Sequence, residues 1–391
     1  ALRTFVASQR MVGGVDSFSL LAVPFYILCG VLMNTGGIAQ KLIDFAKILV
    51  GRIPGGLAHT NILGNTLFGS LSGSSVAASV AIGGVLIPME EKEGYDKKFA
   101  AAVKIASAPT GLIIPPSGIL IIYPVLAGCS VVGMIMSGYI PGLMWALACM
   151  AVAYVIAKKN HYPTAGKVPA SVFFKYFVDA IPSLLLIVII VGGVMSGIFT
   201  ATESADVAVA YTLFQSIVVY RGIKIKDLPK ILLDACETTA VIMFLIAGSN
   251  VMSFVMSFTG LPSAIGNALI SVSSNKYVIL LIINLVLLVV GCFMDITPAV
   301  LIFTPIFLPV VQSFGMDPIH FGIMMVMNLG IGNFTPPVGS ALFSGCSVAD
   351  MDMEDMIKPI LPFYAAIFVA LMLVAYVPWF SMALPTLFGA V

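Results

Sequence analysis

Long apolar runs recur along the chain, at roughly 18–33, 54–72, 99–126, 132–157, 180–199, 204–220, 238–258, 276–294, 319–332 and 360–381. A helix crossing a bilayer needs about 20 mostly apolar residues, so the pattern predicts a bundle of membrane-spanning helices. Two further apolar stretches, 74–89 and 295–311, are interrupted by Gly or Pro. Each is predicted to be a re-entrant hairpin, because broken backbone at membrane depth survives only inside protein or beside a water-filled cavity. Two segments carry one apolar face. In 38–50, Ile38, Leu42, Phe45 and Leu49 oppose Lys41, Asp44 and Lys47. In 227–237, Leu228, Ile231, Leu232 and Ala235 oppose Asp227, Lys230, Asp234 and Glu237. Both are expected to lie along the membrane surface, with a cytoplasmic loop helix as the alternative.

Composition agrees with a lipid solvent. Of 391 residues, 60% are hydrophobic and 9% charged, with mean hydropathy +1.08, whereas a soluble domain carries about 25% charged residues. The length allows roughly ten to fourteen crossings or half-crossings. A net charge of +1 argues against nucleic acid as a partner. The six cysteines lie in or beside apolar runs without metal-ligand spacing and read as small packing residues. No His-Glu-x-x-His pair, phosphate loop or nucleophile–base pair occurs, so no enzyme is predicted. Lys158–Lys159 and Arg221, Lys224 and Lys226 flank two spans and are placed in the cytoplasm. The acidic run Asp350, Asp352, Glu354 and Asp355 holds no Lys or Arg and is placed outside. No cleavable leader is visible and Ala1 is not an initiator Met, so a missing start is expected.

The strongest signal is internal. Segment 72–118 aligns without a gap on 293–339. Pro88 and Pro309 stand 221 residues apart (309 minus 88), as do Gly94 and Gly315, Asp96 and Asp317, Gly111 and Gly332, Pro115–Pro116 and Pro336–Pro337, and Gly118 and Gly339. A four-residue slip then aligns Gly128–Val131 with Gly345–Val348. Glu90–Lys98 contains Lys92, Lys97 and Lys98, but its counterpart Val311–Ile319 contains no basic residue. Positive charge marks the cytoplasmic side, so the two copies are expected to be inverted. Inverted repeats with broken helices at mid-membrane are a transporter architecture.

Each copy supplies a hairpin tip and a helix break. The tips are Ser72-Gly73-Ser74-Ser75 and Asp295-Ile296-Thr297-Pro298. The breaks precede the double prolines, at Ser107-Ala108-Pro109-Thr110-Gly111 and from Asn328 to Gly332-Asn333-Phe334-Thr335. Proline removes an N–H and disfavours helix in the residue before it, which frees carbonyl oxygens. With Ser and Thr hydroxyls these suit a hard cation such as Na⁺, and the facing helix N-termini suit an anionic substrate. Close helix packing is the plainer reading of the Gly/Ser-rich tip. Asp295, the one acidic residue in its apolar stretch, either serves the site or caps its helix. Lys104 either meets an anionic substrate or snorkels to the cytoplasmic end. Asn328 and Asn333 have a plain alternative as interhelical hydrogen bonders.

Gly-Ser-Leu-Ser-Gly-Ser-Ser-Val-Ala (69–77), Leu-Ile-Pro-Met (86–89), Glu-Gly-Tyr-Asp (93–96), Ile-Ile-Pro-Pro-Ser (113–117), Phe-Met-Asp (293–295) and Thr-Pro-Pro-Val-Gly (335–339) resemble the large membrane subunit of tripartite ATP-independent periplasmic (TRAP) transporters. The resemblance covers essentially the whole chain and implies a start short by about one helix. It implies an all-α, inverted-repeat, elevator-type transporter of the bacterial inner membrane, with two re-entrant hairpins. It also implies a small four-helix membrane subunit, a periplasmic substrate-binding protein and Na⁺-coupled uptake of an organic acid, most similar to the sialic-acid members. Carried over by residue, Ser72, Ser74, Ser75, Ser107, Pro109, Thr110 and Gly111 form one sodium site. Asp295, Thr297, Asn328, Gly332, Asn333 and Thr335 form the other. Gly73, Ser74, Ser117, Pro298, Thr335 and Pro336 face the substrate. Ala78 stands where many members carry Asp, so no role of that carboxylate transfers.

The expected organisation is scaffold and surface arm over 1–58, a transport-domain half with the first hairpin over 59–131, and scaffold linking the repeats over 132–275. A second transport-domain half over 276–349 and a C-terminal helix over 350–391 complete it. The alternatives are a C4-dicarboxylate TRAP subunit, a sodium/carboxylate symporter that needs no binding protein, and an ion channel, in which broken helices also occur.

Overall fold

The computed structural model describes residues 2–164, 169–273 and 275–390. Among them are twenty α-helices and no strand. The first half runs α1 (Leu2–Val15), α2 (Ala22–Thr35), α3 (Ile38–Val50), α4 (Gly56–Ser72), α5 (Ser75–Lys92), α6 (Lys97–Ser107), α7 (Thr110–Ile113), α8 (Ile119–Ala127), α9 (Val131–Ser137) and α10 (Tyr139–Lys159). Two helices, α11 (Ala170–Met195) and α12 (Ala201–Phe214), link the halves. The second half runs α13 (Leu228–Thr259), α14 (Leu261–Val272), α15 (Lys276–Phe293), α16 (Ile296–Ser313), α17 (Pro318–Gly332), α18 (Ser340–Ala349), α19 (Met353–Tyr376) and α20 (Trp379–Leu387). Seven helical stretches among the described residues are long and apolar enough to span a membrane.

The hairpins are larger than the pattern suggests. Residues 74–89 and 295–311 do not fold back on themselves: each belongs to one continuous helix, α5 or α16. Their internal prolines, Pro88, Pro305 and Pro309, are absorbed within the helices. The real turns lie just before them. Gly73, at φ 62°, ends α4, and extended Ser74 caps α5 by accepting from the Ala77 N–H. Extended Met294 and Asp295 separate α15 from α16. The hairpins are thus α4–α5 and α15–α16, built from segments that the apolar runs 54–72 and 276–294 present as simple spans.

The repeat is fully expressed in backbone. Helices α5 and α16 start 221 residues apart, as do α6 and α17, and α8 and α18. The turns between arm and inner helix match too: Gly94 and Gly315 have φ 85° and 82°, and Asp96 and Asp317 cap the following helices. Both double-proline bonds are cis. The four-residue slip is overturned. Gly128 (φ 65°) follows α8 as Asp350 (φ 49°) follows α18, one residue from the common register, while Gly345 lies inside α18. Matching the identical Gly-Cys-Ser-Val strings obscured that equivalence.

The copies are related by a swap: α5 packs on α18 as α16 packs on α8, and the matching helices α10 and α19 pack on each other. Inversion follows from one helix. The Lys98 ammonium meets Asp355 at 2.6 Å near the start of α19, while His320, in the first turn of α17, bonds the Val374 carbonyl at 2.8 Å near its end. Nineteen residues separate Asp355 from Val374, about 28 Å at the helical rise. The turns before α6 and α17 therefore lie at opposite ends of the molecule. The same contact overturns the placement of the acidic run outside: it shares the end that carries Lys97, Lys98 and Lys158. Lys and Arg decide orientation and Asp and Glu contribute little, so an acidic run carries no such information.

Two boundaries also differ. The surface helix predicted at 227–237 is the start of the 32-residue α13. The counterpart of α3 is α14, and a positive-φ glycine opens each, Gly37 at 77° and Gly260 at 70°. In α3 the buried face is Ile38, Leu42, Ile43, Phe45, Ala46 and Ile48, while Leu49 is exposed. The run 360–381 is cut at Val377–Pro378 into α19 and α20. Of the six cysteines, only Cys29, Cys149 and Cys346 are buried, and Cys236 is exposed.

Candidate functional site

Asp295 holds the N-cap position of α16, yet its carboxylate makes no bond to that helix's free N–H groups. Its Oδ1 accepts instead from the Asn333 amide at 3.2 Å and the Ser340 hydroxyl at 3.1 Å. The Asn333 amide nitrogen also donates to Ser340 Oγ at 2.9 Å. Asn333 Oδ1 accepts from the Ala341 N–H at 3.0 Å and, across the repeats, from the Ser75 hydroxyl at 3.2 Å. One side chain therefore joins the second hairpin's turn, the end of α17, the start of α18 and the first hairpin's tip.

Backbone adds further oxygens. A Cβ at Gly339, whose φ is 44°, would meet the carbonyl oxygens of Asn333 and Thr335, each at 2.9 Å. A carboxylate, an amide oxygen and converging carbonyls form a donor set suited to a hard, weakly polarising cation. The Asn333 carbonyl already accepts from the Ala341 N–H at 3.0 Å, and other carbonyls released at the breaks are engaged as well. Trp145 Nε1 donates to Ala106 O at 2.9 Å, Tyr364 Oη to Phe334 O at 2.6 Å and Thr335 Oγ1 to Ile331 O at 2.6 Å. Buried carbonyls rarely stay unpaired.

The first half has the same backbone but different side chains. At the common spacing Ser74 stands for Asp295, Leu112 for Asn333, Ile114 for Thr335 and Ile119 for Ser340. Its polar groups are hydroxyls: Ser72 Oγ lies 3.5 Å from Gly69 O, and Thr110 Oγ1 donates to Ser107 O at 2.6 Å. Each hairpin presses a glycine against the break behind it. A Cβ at Gly111 would lie 2.3 Å from Gly69, and one at Gly332 would lie 2.4 Å from Gly291.

A cavity of about 370 Å³ lies between the tips and the helices α2 and α13. Of the sequence-derived candidates it is lined by Ser72, Gly73, Ser74, Ser75, Asp295, Thr297 and Asn333. Ser107, Pro109, Thr110, Gly111, Ser117, Pro298, Asn328, Gly332, Thr335 and Pro336 do not line it. Asn328 is fully buried and donates to Asn284 O and Oδ1 at 2.9 and 2.7 Å. Ser117 is buried too, beside Gly73. Tyr26 and Asn34 of α2, Thr238 of α13 and Ser340 near Asp295 were not anticipated. Polar residues at the ends of apolar runs were the available signal for Asn34 and Thr238, but no repeat partner marks them. Among the described residues, Asp295 is the one charged residue lining the cavity. The cavity reaches the C-terminal end of α2, since Asn34 sits in its last turn, and Gly36 just beyond it abuts Gly222, beside Arg221.

Lys104 neither lines the cavity nor snorkels. It is fully buried between α5 and α18, with Nζ 3.5 Å from Gly345 O and its stem filling the space a side chain at Gly83 would need.

Comparison with known proteins agrees with this architecture. Residues 1–380 match the family described as tripartite ATP-independent periplasmic transporter, DctM component. The chain is 51% identical to the protein YgiK of Salmonella typhimurium, over 98% of this chain and 88% of that one. It is 40% identical to the sialic acid TRAP transporter large permease protein SiaM of Vibrio cholerae, over 98% and 90%. It is 38% identical to the C4-dicarboxylate TRAP transporter large permease protein DctM of Pseudomonas aeruginosa, over 96% and 88%. Among solved structures, the Alcanivorax borkumensis YdaH transporter aligns with a TM-score of 0.62 at 13% identity, over 94% of this chain and 86% of that one. Neisseria gonorrhoeae MtrF aligns at 0.61 and 13%, over 96% and 83%.

Proposed function

The chain belongs to the DctM family of tripartite ATP-independent periplasmic transporters, and on that premise we propose that it imports an organic acid with Na⁺, sialic acid being the first substrate to test. It is a multi-pass protein of the bacterial inner membrane, and its family consists of transport permeases rather than enzymes. The observation that carries the ion reading is the oxygen cluster of Asp295, Asn333, Ser340 and Ser75 where the two repeats meet. In this reading Asp295, with Asn333 and the carbonyls around Gly339, holds one Na⁺. The first tip, Ser72, Ser74 and Ser75, with the break behind it, holds the other.

The substrate lies in the cavity beside both tips, facing Thr297, Asn34 and Thr238. Because no Lys or Arg lines that space, the carboxylate is balanced by bound Na⁺ and backbone N–H groups rather than by a side-chain cation. Relatives named for sialic acid, C4-dicarboxylate and 2,3-diketo-L-gulonate support the organic-acid class. The hairpins and breaks move together past the scaffold as an elevator, assisted by a small membrane subunit and a periplasmic binding protein.

Reconstitution in liposomes with both partners tests this reading. Labelled N-acetylneuraminate should accumulate only with an inward Na⁺ gradient and added binding protein. Accumulation of succinate instead moves the assignment to the C4-dicarboxylate class. Uptake that needs no binding protein favours a stand-alone symporter, and unsaturable current without uptake favours a channel.

A further inference from the structure

A second polar group lies behind the first hairpin, away from the cavity. Glu90, in the last turn of α5, is fully buried, as are Asn61 and Asn65 of α4 and Lys104 and Ser107 of α6. The side chains of Glu90, Asn61, Asn65 and Ser107 form one line. Asn61 Nδ2 lies 3.5 Å from Glu90 Oε2, Asn65 Nδ2 donates to Asn61 Oδ1 at 3.0 Å, and the same amide donates to Ser107 Oγ at 2.9 Å. Ser107 Oγ in turn donates to Lys104 O at 3.2 Å, at the break behind the first tip. Two acceptors in this line, Glu90 Oε1 and Asn65 Oδ1, are buried without a hydrogen-bond partner. A carboxylate that is fully desolvated and half-unpaired is costly, and protonation removes the cost.

We infer that Glu90 is a proton-binding site linked through Asn61 and Asn65 to the cation held at the Ser107 end of the first hairpin. This inference rests on the sodium reading above. When the cation arrives, its charge favours the ionised carboxylate. By drawing on Ser107 Oγ it also frees the Asn65 amide to shift along the line. The Glu90 O–H bond breaks, the proton leaves to water at the basic end, and the carboxylate stays facing Lys104.

The groups around Glu90 allow this exchange. From α6 comes Lys104, a basic neighbour, and from the turn after α5 come Glu93 and Tyr95. From α18 comes Cys346, beside Lys104. From α4 comes neutral Asn61, with His59 two residues away and so about 200° round the helix. On α3, Lys41 pairs with Asp179, Asp44 accepts from Gln40, and Lys47 lies near Asp44; α7 carries no titratable side chain. Binding linkage is reciprocal, so acid must weaken Na⁺ binding by the same amount that Na⁺ promotes proton release.

The test uses the full chain in nanodiscs, titrated with NaCl against choline chloride at constant ionic strength. Na⁺ affinity is read from thermal stabilisation at several pH values, and protonation from the carboxylic-acid C=O stretch in Na⁺-minus-choline infrared spectra. In the wild type, Na⁺ affinity should fall by up to about tenfold per pH unit on the acid side, and Na⁺ should erase a protonated-carboxyl band. Glu90→Gln should bind Na⁺ with less pH dependence and lack that band. Asn61→Leu should keep the band but blunt its response to Na⁺. Equal pH dependence in wild type and Glu90→Gln, or no Na⁺-sensitive carboxyl band in the wild type, overturns the inference and leaves the sodium reading standing. No stabilisation of the wild type by Na⁺ at any pH overturns the sodium reading, and the coupling with it.

Discussion

Asp295 shows how one side chain can sit at a capping position without capping. Its carboxylate turns from the α16 N–H groups toward Asn333 and Ser340, so its charge faces the cavity. Asp295→Asn keeps the shape and removes the charge. Na⁺ affinity should fall at least tenfold, about 1.4 kcal/mol, with little change in the thermal midpoint measured without Na⁺. Asp295→Ala also strips an acceptor from two donors and should cost about 1–3 kcal/mol of stability. Unchanged Na⁺ dependence of uptake in Asp295→Asn would remove this residue from the ion site. Lys104 teaches a related point: a long cation inside an apolar helix can be buried to its tip when a facing glycine, here Gly83, leaves it a channel.

Between elements, glycine contacts seat each hairpin on its break. A Cβ at Gly332 would fall 2.4 Å from the Gly291 backbone, so α15 and α17 would have to separate. Gly332→Ala should therefore destabilise by about 1–3 kcal/mol and lower uptake with it. Gly84, in α5, has nothing within 4 Å of its would-be Cβ. Gly84→Ala should instead be neutral or stabilising by about 0.5–1 kcal/mol, because it removes backbone freedom from the unfolded chain. Thermal unfolding of the two variants side by side separates a packing role from general helix propensity, and equal effects would sink the contact argument. The asymmetry of the hairpins belongs to this scale as well. Both have the same path, but only the second combines a carboxylate, an amide and a hydroxyl at its turn.

For the whole molecule, the path of α19 orders the two ends. Lys98 meets its start and His320 meets its end. The Lys98–Asp355 pair is half-exposed and worth at most about 1 kcal/mol, so it serves as a marker of position rather than a source of stability. Single cysteines at Lys97 and Glu354 should be labelled by an impermeant maleimide from the same side of the membrane, and one at the exposed Gln312 from the opposite side. Labelling of 97 and 312 from one side would refute the inverted arrangement.

Much of this is legible in the sequence. The apolar runs called for membrane helices, because about 20 apolar residues in a row have no other stable solvent. The spacing of 221 placed both hairpin tips and both breaks, because Gly, Pro and Asp act locally on the backbone and leave a mark at a set position. Asp295 and Asn333 stood out as polar groups amid apolar neighbours. The missed features depend on contacts between distant segments. Whether Pro88 or Pro309 breaks a helix depends on the packing around it, so the hairpins were placed one arm too narrowly. The side on which Asp350–Asp355 lies follows from its meeting with Lys98, which no local pattern records. That Asn34 and Thr238 face the tips, that Asn328 turns away to Asn284, and that Glu90 joins Ser107 through two asparagines were decided by tertiary structure alone. Periodicity places a residue on a helix face, but only the packing of helices chooses what that face meets.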